Sequence, residues 1–299
     1  MKRKGDIING WIALDKPAGL TSTQAIGKIR RILNPAKIGH GGTLDPLATG
    51  ILPIAMGEAT KTIPFIVDHI KTYTFTVHWG EQRSTDDLEG GVIATSPNRP
   101  TAEEIRAILP NFTGDILQTP PQFSAIKIDG ERAYDLARSG EDVDLKPRPV
   151  FIESLDLVSS EADQASFRCV CGKGTYIRSL GRDMGLALGT VGYIGALRRE
   201  KVGPMDQNMA ISLEMLEQTG HSAVLPVETV LDGIPALKLN SQEAARLKQG
   251  QKLSFIARPD VERLRKLGEG DALAVYDGKA VALVTIEGVE VFPVRIFNL

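Results

Sequence analysis

Hydrophobic and polar positions alternate most regularly between Thr72 and Trp79. Tyr73, Phe75, Val77 and Trp79 fall on one face, and Thr72, Thr74, Thr76 and His78 on the other, the pattern of a strand with one buried side. Trp11-Ile12-Ala13-Leu14 reads as a short buried strand closed by the turn Lys16-Pro17-Ala18-Gly19. Thr21, Ser22 and Thr23 offer N-cap hydroxyls for a helix over 24–33, whose Ile26, Ile29, Ile32 and Leu33 lie to one side and which Asn34-Pro35 ends. A glycine-rich loop from Gly39 to Pro46 feeds the apolar run Ile51–Met56, which predicts a central strand. Thr101-Ala102-Glu103-Glu104 is a capping box opening a helix through Leu109. Phe151–Val158 and Ser166–Cys171 predict further strands. Thr175–Leu188 carries Ile177, Leu180, Met184 and Leu188 at helical spacing ahead of Gly189, a natural C-cap.

Two stretches break this texture. Pro120 to Pro149 is charged, poor in apolar residues and longer than ordinary connections, which predicts an exposed excursion from the domain. Beyond about Gly233, a capped helix over Ser241–Lys248 precedes alternating runs in Ala272–Leu299, with turns at Asp277-Gly278 and Glu287-Gly288. The chain thus divides near 230–236 into a mixed α+β domain at 1–232 and a small β-rich unit at 233–299. No internal repeat and no low-complexity tract stands out.

Composition narrows the class. Of the 299 residues 42% are apolar and 24% charged, ordinary for a globular protein, and no apolar run is long enough to span a bilayer. The basic Met1–Lys4 start leads into too short an apolar stretch for a signal peptide, and only two cysteines are present, so a reducing cytoplasm is expected. Cys169 and Cys171 share one face of a strand with no histidine beside them and are read as core. The net charge of −2 argues against a protein that coats nucleic acid indiscriminately. Charge is nonetheless segregated. Residues 1–61 and 165–205 each carry a surplus of +5, whereas 62–115 carries −4. Two basic segments converging on one face would suit a nucleic-acid enzyme, and two unrelated solvated surfaces would look the same.

Most catalytic templates fail. Gly57-Glu58-Ala59-Thr60-Lys61-Thr62 lacks the second glycine of a phosphate-cradling loop, and no zinc-deaminase, nucleophile-elbow or dinucleotide fingerprint is present. Neither metal nor nucleotide cofactor is called for. Asp45 remains. Pro46 holds it extended, and Gly41 and Gly42 let backbone approach a ligand closely. An aspartate in such a loop is by itself equally a turn residue.

The surrounding motifs decide more. Gly39-His40-Gly41-Gly42-Thr43-Leu44-Asp45-Pro46-Leu47-Ala48-Thr49-Gly50 resembles the catalytic motif of the bacterial tRNA pseudouridine synthases that act on uridine 55 (the TruB family). Leu14-Asp15-Lys16-Pro17 upstream and Lys71-Thr72-Tyr73 downstream fit the same family. So do Pro120–Ala125 and Gly130–Tyr134 in the excursion, and Gly174–Leu180 and Ala196–Arg199 later. The motifs run in family order from about residue 9 to 205. The C-terminal unit resembles, more loosely, the family's PUA-like RNA-binding β-barrel. One departure is Glu200, where members often carry threonine.

The resemblance implies an α+β pseudouridine synthase fold on a largely antiparallel mixed sheet, with a segment at about 121–149 gripping the RNA. It implies that Asp45 is the essential carboxylate, paired with Arg178, which holds it ionised and aimed. Tyr73 would stack on the base and help remove the C5 proton, and Leu197 would pack on the base from the other side. His40 would belong to the loop that fills the space left by the extruded base, while Lys16 and Pro17 support the Asp45 loop. Gly42, Thr43, Tyr176 and Arg132 complete the expected substrate contacts, and Lys28, Arg30, Arg31, Arg198 and Arg199 are expected at a phosphate-binding rim. Taken singly, Tyr73 and Leu197 read as core and Arg178 as a solvated helix face. The expected partner is the T-arm of tRNA, with no membrane, guide RNA or obligatory protein partner. Two rival readings are an RNA-binding or RNA-folding protein without catalysis, and a synthase dependent on partners and guide RNA.

Overall fold

The computed structural model describes residues 5–123, 127, 128, 131, 132 and 145–299, with side chains left out at 127, 128, 131 and 132. Most of the expected excursion at 121–149 therefore lies outside the described residues.

The apolar run at Trp11 becomes β1 (Gly10–Lys16), and the helix behind it becomes α1 (Ser22–Leu33). Thr21 caps α1 through a reciprocal pair with Gln24, and Asn34 ends it in the left-handed conformation. The glycine loop follows β2 (Ile38–His40) and leads into β3 (Thr49–Met56). A short helix, α2 (Ile63–Asp68), returns the chain to β4 (Lys71–Trp79). Next come a small hairpin of β5 (Glu81–Arg83) and β6 (Val92–Thr95), the helix α3 (Ala102–Ile108) capped by Thr101 and Glu104, and β7 (Gly114–Gln118). The two-residue strands β8 (Lys127–Ile128) and β9 (Glu131–Arg132) pair with one another. The domain closes with β10 (Arg148–Ser160), β11 (Gln164–Cys171), α4 (Ile177–Ala187) and β12 (Gly192–Val202).

Seven of these strands form the path β1-β3-β12-β4-β11-β10-β7, with β2 on β3 as the eighth. Every pairing is antiparallel except β12 with β3, so the sheet is mixed and largely antiparallel, as expected. β12 is absent from the strands that the sequence pattern predicts, yet it lies centrally and sets Arg199 opposite Tyr73 of β4 and Gly50 of β3.

β1 and β3 are buried on both faces, which explains their unbroken apolar runs. Ile12, Leu14, Leu52 and Ile54 join the core shared with α1, α4 and the alternating face of β4. Trp11, Ala13, Ile51 and Ala55 pack on the opposite side with Val227, Leu273, Leu283 and Phe297. Cys169 and Cys171 are free and fully buried in the first core, matching the packing role read from sequence.

Gly50 sits where β3 meets β12. Its φ is +97°, and a Cβ there would stand 2.2 Å from the Arg199 carbonyl oxygen, which is backbone and has nowhere to go. Gly50→Ala is expected to cost roughly 2–4 kcal/mol, strain and overlap together. Thermal melts followed by circular dichroism check this; an unchanged midpoint would refute it.

The C-terminal part begins with the short helix α5 (Leu213–Thr219) and a connecting stretch against β1, where Leu225 bridges to Trp11. A separate five-stranded sheet follows, in the order β13 (Ala236–Lys238), β15 (Gly270–Tyr276), β16 (Lys279–Glu287), β17 (Glu290–Ile296) and β14 (Leu253–Ser254). It has its own core, with α6 (Ser241–Lys248) and α7 (Arg258–Leu267) against it. Lys61 donates to the Ile296 carbonyl at 2.7 Å, and Glu58 accepts from the Asn298 amide at 2.8 Å, tying this sheet to the larger one. No described helix is long and apolar enough to cross a membrane.

Candidate active site

The loop before β3 is held by backbone anchors on every side. The Leu44 amide donates to Ser22 Oγ at 2.9 Å and the Ser22 hydroxyl donates to the Leu44 carbonyl at 3.0 Å, so the first turn of α1 clamps one residue of the loop at both its backbone groups. Lys16, fully buried at the end of β1, donates to the carbonyls of Pro17 (2.9 Å), Leu20 (2.8 Å) and Pro46 (3.3 Å). Burial pushes its ammonium down to about 8, against the pull of Asp45. Gly42 has φ +112°, a conformation that a side chain would strain. Arg199 donates to the carbonyls of Gly42 (3.0 Å), Thr43 (3.4 Å) and Ile51 (2.7 Å).

This frame presents Asp45, one-third exposed, to Arg178, which is only 5% exposed. Arg178 Nε lies 2.9 Å from Asp45 Oδ2, and Nη2 donates to Oδ1 at 3.3 Å. The guanidinium also donates to the carbonyls of Thr85 (3.1 Å) and Phe123 (2.9 Å) and stands 3.6 Å from the buried carboxylate of Asp87. Arg178 is thus fixed from three segments, and its charge is shared by two carboxylates. Its helix is anchored alongside. Gln118 at the end of β7 exchanges hydrogen bonds with the Tyr176 backbone (2.8 and 3.1 Å), and Ser179 donates to the Thr119 carbonyl at 2.8 Å.

Asp45 and Arg178 line a cavity of about 270 Å³ together with Gly42, Thr43, Tyr73, Tyr176 and Leu197. The two aromatics and the leucine give it apolar walls, and beside the ion pair Lys71, Lys173 and Arg199 also line it. Burial drives the Tyr73 phenol upward, and the neighbouring Arg199 charge pulls it part of the way back. A second cavity of about 310 Å³ shares Thr43, Asp45 and Arg178 with the first and is lined also by His40, Glu89 and Phe123. His40 is pushed down by burial and by Arg199, which favours its neutral form. Pro17 is exposed and enters the arrangement only through its carbonyl on Lys16. Arg132 has its backbone in β9, and its side chain lies outside the described residues.

Of the two expected rim arginines on β12, Arg199 is not on a rim and Arg198, about one-third exposed, is paired within the protein. Arg199 is 2% exposed and braces the loop from inside, and Arg198 makes a two-pronged pair with Asp15 at 2.9 and 3.0 Å. The two basic segments do meet in the sheet, but much of their charge is spent internally. Arg182 pairs with Asp86 and Asp183, Arg168 with Glu200, and Lys173 with Asp68.

The turn at Thr85, Asp86 and Asp87 does not stand out in the sequence, because two adjacent aspartates in a polar loop look like solvated turn residues. Here both are buried. Burial lifts Asp86 to about 6 in spite of Arg182, whose Nη1 donates to it at 3.0 Å. A carboxyl raised above its unfolded value of 3.8 contributes stability that is full below about 3.8 and lost as pH rises through about 6. Asp86→Asn is therefore expected to gain on the wild type between pH 4 and 7, by up to about 3 kcal/mol. Urea unfolding at both ends of that range tests it, and a pH-independent difference would sink it.

Comparison with known proteins identifies the family. The family descriptions "TruB family pseudouridylate synthase (N terminal domain)" and "tRNA pseudouridylate synthase B C-terminal domain" match residues 30–177 and 178–232. A tRNA pseudouridine synthase B of Rhodopseudomonas palustris is 53% identical over 98% of this chain and 81% of its own. That of Rhodospirillum rubrum is 50% identical over 100% of this chain and 99% of its own. The chain belongs to the TruB family. Among solved structures, the chain in "Crystal Structure of a Cbf5-Nop10-Gar1 Complex" aligns with a TM-score of 0.74 at 24% identity, over 96% of this chain and 84% of that one. One titled "Structure of H/ACA RNP bound to a substrate RNA containing 2'-deoxyuridine" gives 0.72 at 23%, over 97% and 85%. At that identity the likeness speaks to fold, and it gives this TruB-family chain the pseudouridine synthase fold of mixed α+β content.

Proposed function

We propose that the chain isomerises uridine 55 in the T-loop of tRNA to pseudouridine, with Asp45 as the essential carboxylate. The observation that carries this is the Asp45–Arg178 ion pair set in one cavity with Tyr73 and Leu197. A stacking aromatic, an apolar wall and one aimed carboxylate are what the exchange of a C–N for a C–C glycosidic bond calls for. The exchange consumes no external energy, so no cofactor enters. A uridine held in a folded loop must leave its stack before its glycosidic bond is reached, which is base flipping. Relatives that share about half the residues over nearly the whole chain are named for tRNA, which supports tRNA as the substrate.

The catalytic domain spans 1–232, its segment at about 121–149 grips the RNA, and residues 233–299 form a PUA-like RNA-binding barrel. The enzyme works in the cytoplasm, without guide RNA or an obligatory protein partner. The deciding experiment incubates the purified chain with an unmodified tRNA transcript, without metal or nucleotide. One pseudouridine per tRNA at the T-loop is the expected result. Tight binding without product would move the assignment to a binding protein or to a synthase that needs partners.

A further inference from the structure

Arg199 is the unexplained charge of this site. It is 2% exposed, and its described partners are three carbonyl oxygens and a phenol, none of them anionic. An arginine buried without a counter-ion is costly, and one retained beside a reaction centre calls for a use. Its position supplies one. β12 places it directly opposite Tyr73 of β4, within hydrogen-bonding reach of the phenol, and both line the 270 Å³ cavity. The same guanidinium holds the Gly42 and Thr43 carbonyls, three and two residues before Asp45. One side chain therefore spans the two groups that carry the chemistry. Its positive field also reaches Lys16, His40 and Lys71, each of which it pushes toward the neutral form.

We propose that Arg199 is a positioning residue of the isomerisation: it sets the Asp45 loop and the Tyr73 phenol in one frame and stabilises the phenolate through which the C5 proton leaves. This rests on the reading that the chain isomerises uridine. In the step concerned the C1′–N1 bond has broken and C1′–C5 has formed. The phenol gives its proton to N1, and the resulting phenolate takes the proton from C5. Atoms and charge balance, and no outside acid, base or oxidant is used. The intermediate phenolate is anionic in a buried place, and Arg199 is the cation beside it.

The test uses Arg199→Met, which loses the charge, and Arg199→Lys, which keeps it without the fork. Single-turnover rates are measured against pH on tRNA carrying ordinary or C5-deuterated uridine. For Arg199→Met the rate is expected to fall about 10²-fold with tRNA affinity nearly unchanged. The deuterium isotope effect should grow, and the rate profile should move up by about one pH unit or more. Arg199→Lys should keep the wild-type profile, recover part of the rate and still show a larger isotope effect. Circular dichroism reports whether each variant folds; if Arg199→Met does not, the isotope effect of Arg199→Lys decides alone. A wild-type isotope effect and profile in the folded variants, whatever their rate, would make Arg199 purely structural and overturn the proposal. A loss of tRNA affinity at unchanged saturated rate would return Arg199 to phosphate binding and overturn the proposal equally. A wild-type chain that makes no pseudouridine removes the functional reading itself, an outcome separate from either of these.

Discussion

Replacing Asp45 by asparagine is expected to abolish pseudouridine formation, lowering the single-turnover rate by about 10⁴-fold or more while tRNA binding changes little. Asparagine has nearly the same shape and can still accept a hydrogen bond from Arg178, so the site keeps its form. What disappears is a carboxylate able to attack a carbon or take a proton. The loop does not depend on that side chain, because Ser22 clamps Leu44, Lys16 holds Pro46, and Arg199 holds Gly42 and Thr43. Phosphate-rich RNA gains nothing from facing an aspartate, so affinity should hold or improve slightly. Release of tritium from tRNA labelled at uridine C5 measures the chemistry, and filter binding measures the affinity. Turnover above about one per cent of wild type would remove Asp45 from its role. A parallel loss of binding would mean that the loop had collapsed.

How much of this is legible in the sequence varies with the physics of each element. β4 is clear because one face is buried and the other polar, which writes period two into Lys71–Trp79. α1 is clear because Thr21 and Asn34 mark its ends chemically. β12 does not read as a strand, although it is central. Gly192 and Gly195 weaken its propensity, and Arg198, Arg199, Glu200 and Lys201 interrupt any apolar rhythm. Three of these charges are settled by tertiary partners, Asp15 for Arg198, Thr74 and Arg168 for Glu200, and the Gly42 and Thr43 carbonyls of the loop for Arg199. No local rule anticipates those partners. α7 escapes the pattern for a related reason, since Arg258–Leu267 is so charged that its single buried residue, Leu264, gives little rhythm.

The site shows the same division. Motifs single out Asp45, Tyr73, Arg178, Tyr176 and Leu197, and the fold brings them to one cavity from β4, β12, the glycine loop and the start of α4. Among their supports a motif singles out Lys16 and Pro17, and no motif singles out Ser22, Gln118 or Asp87. Ser22 reaches the loop across 22 residues of sequence, and Gln118 and Asp87 act across more than fifty. Arg199 is misplaced by sequence because an arginine pair reads as a phosphate contact, whereas here one member serves Asp15 and the other the loop. Chemistry-bearing residues leave motifs, but side chains such as Ser22, Gln118 and Asp87 that hold them in place leave only geometry.

Arg178 is where support and chemistry coincide, and Arg178→Met should separate them. The substitution removes the only described cation within ion-pair range of both Asp45 and Asp87. Asp87 is 3% exposed at its side chain, so it becomes a buried unpaired carboxylate, and stability should fall by about 3–5 kcal/mol. The Thr85 and Phe123 carbonyls lose their donor as well, loosening two segments that border the second cavity. Activity should fall about 10³-fold, since Asp45 loses both its orientation and its counter-charge. The double variant Asp87→Asn/Arg178→Met distinguishes the two effects. Neutralising Asp87 removes the stranded charge, so urea unfolding should show most of the lost stability regained. Asp45 remains unaimed, so single-turnover rates should stay low. Recovery of activity together with stability would mean that Arg178 serves only to neutralise Asp87. Wild-type rates in Arg178→Met alone would mean that the ion pair with Asp45 has no part in the reaction.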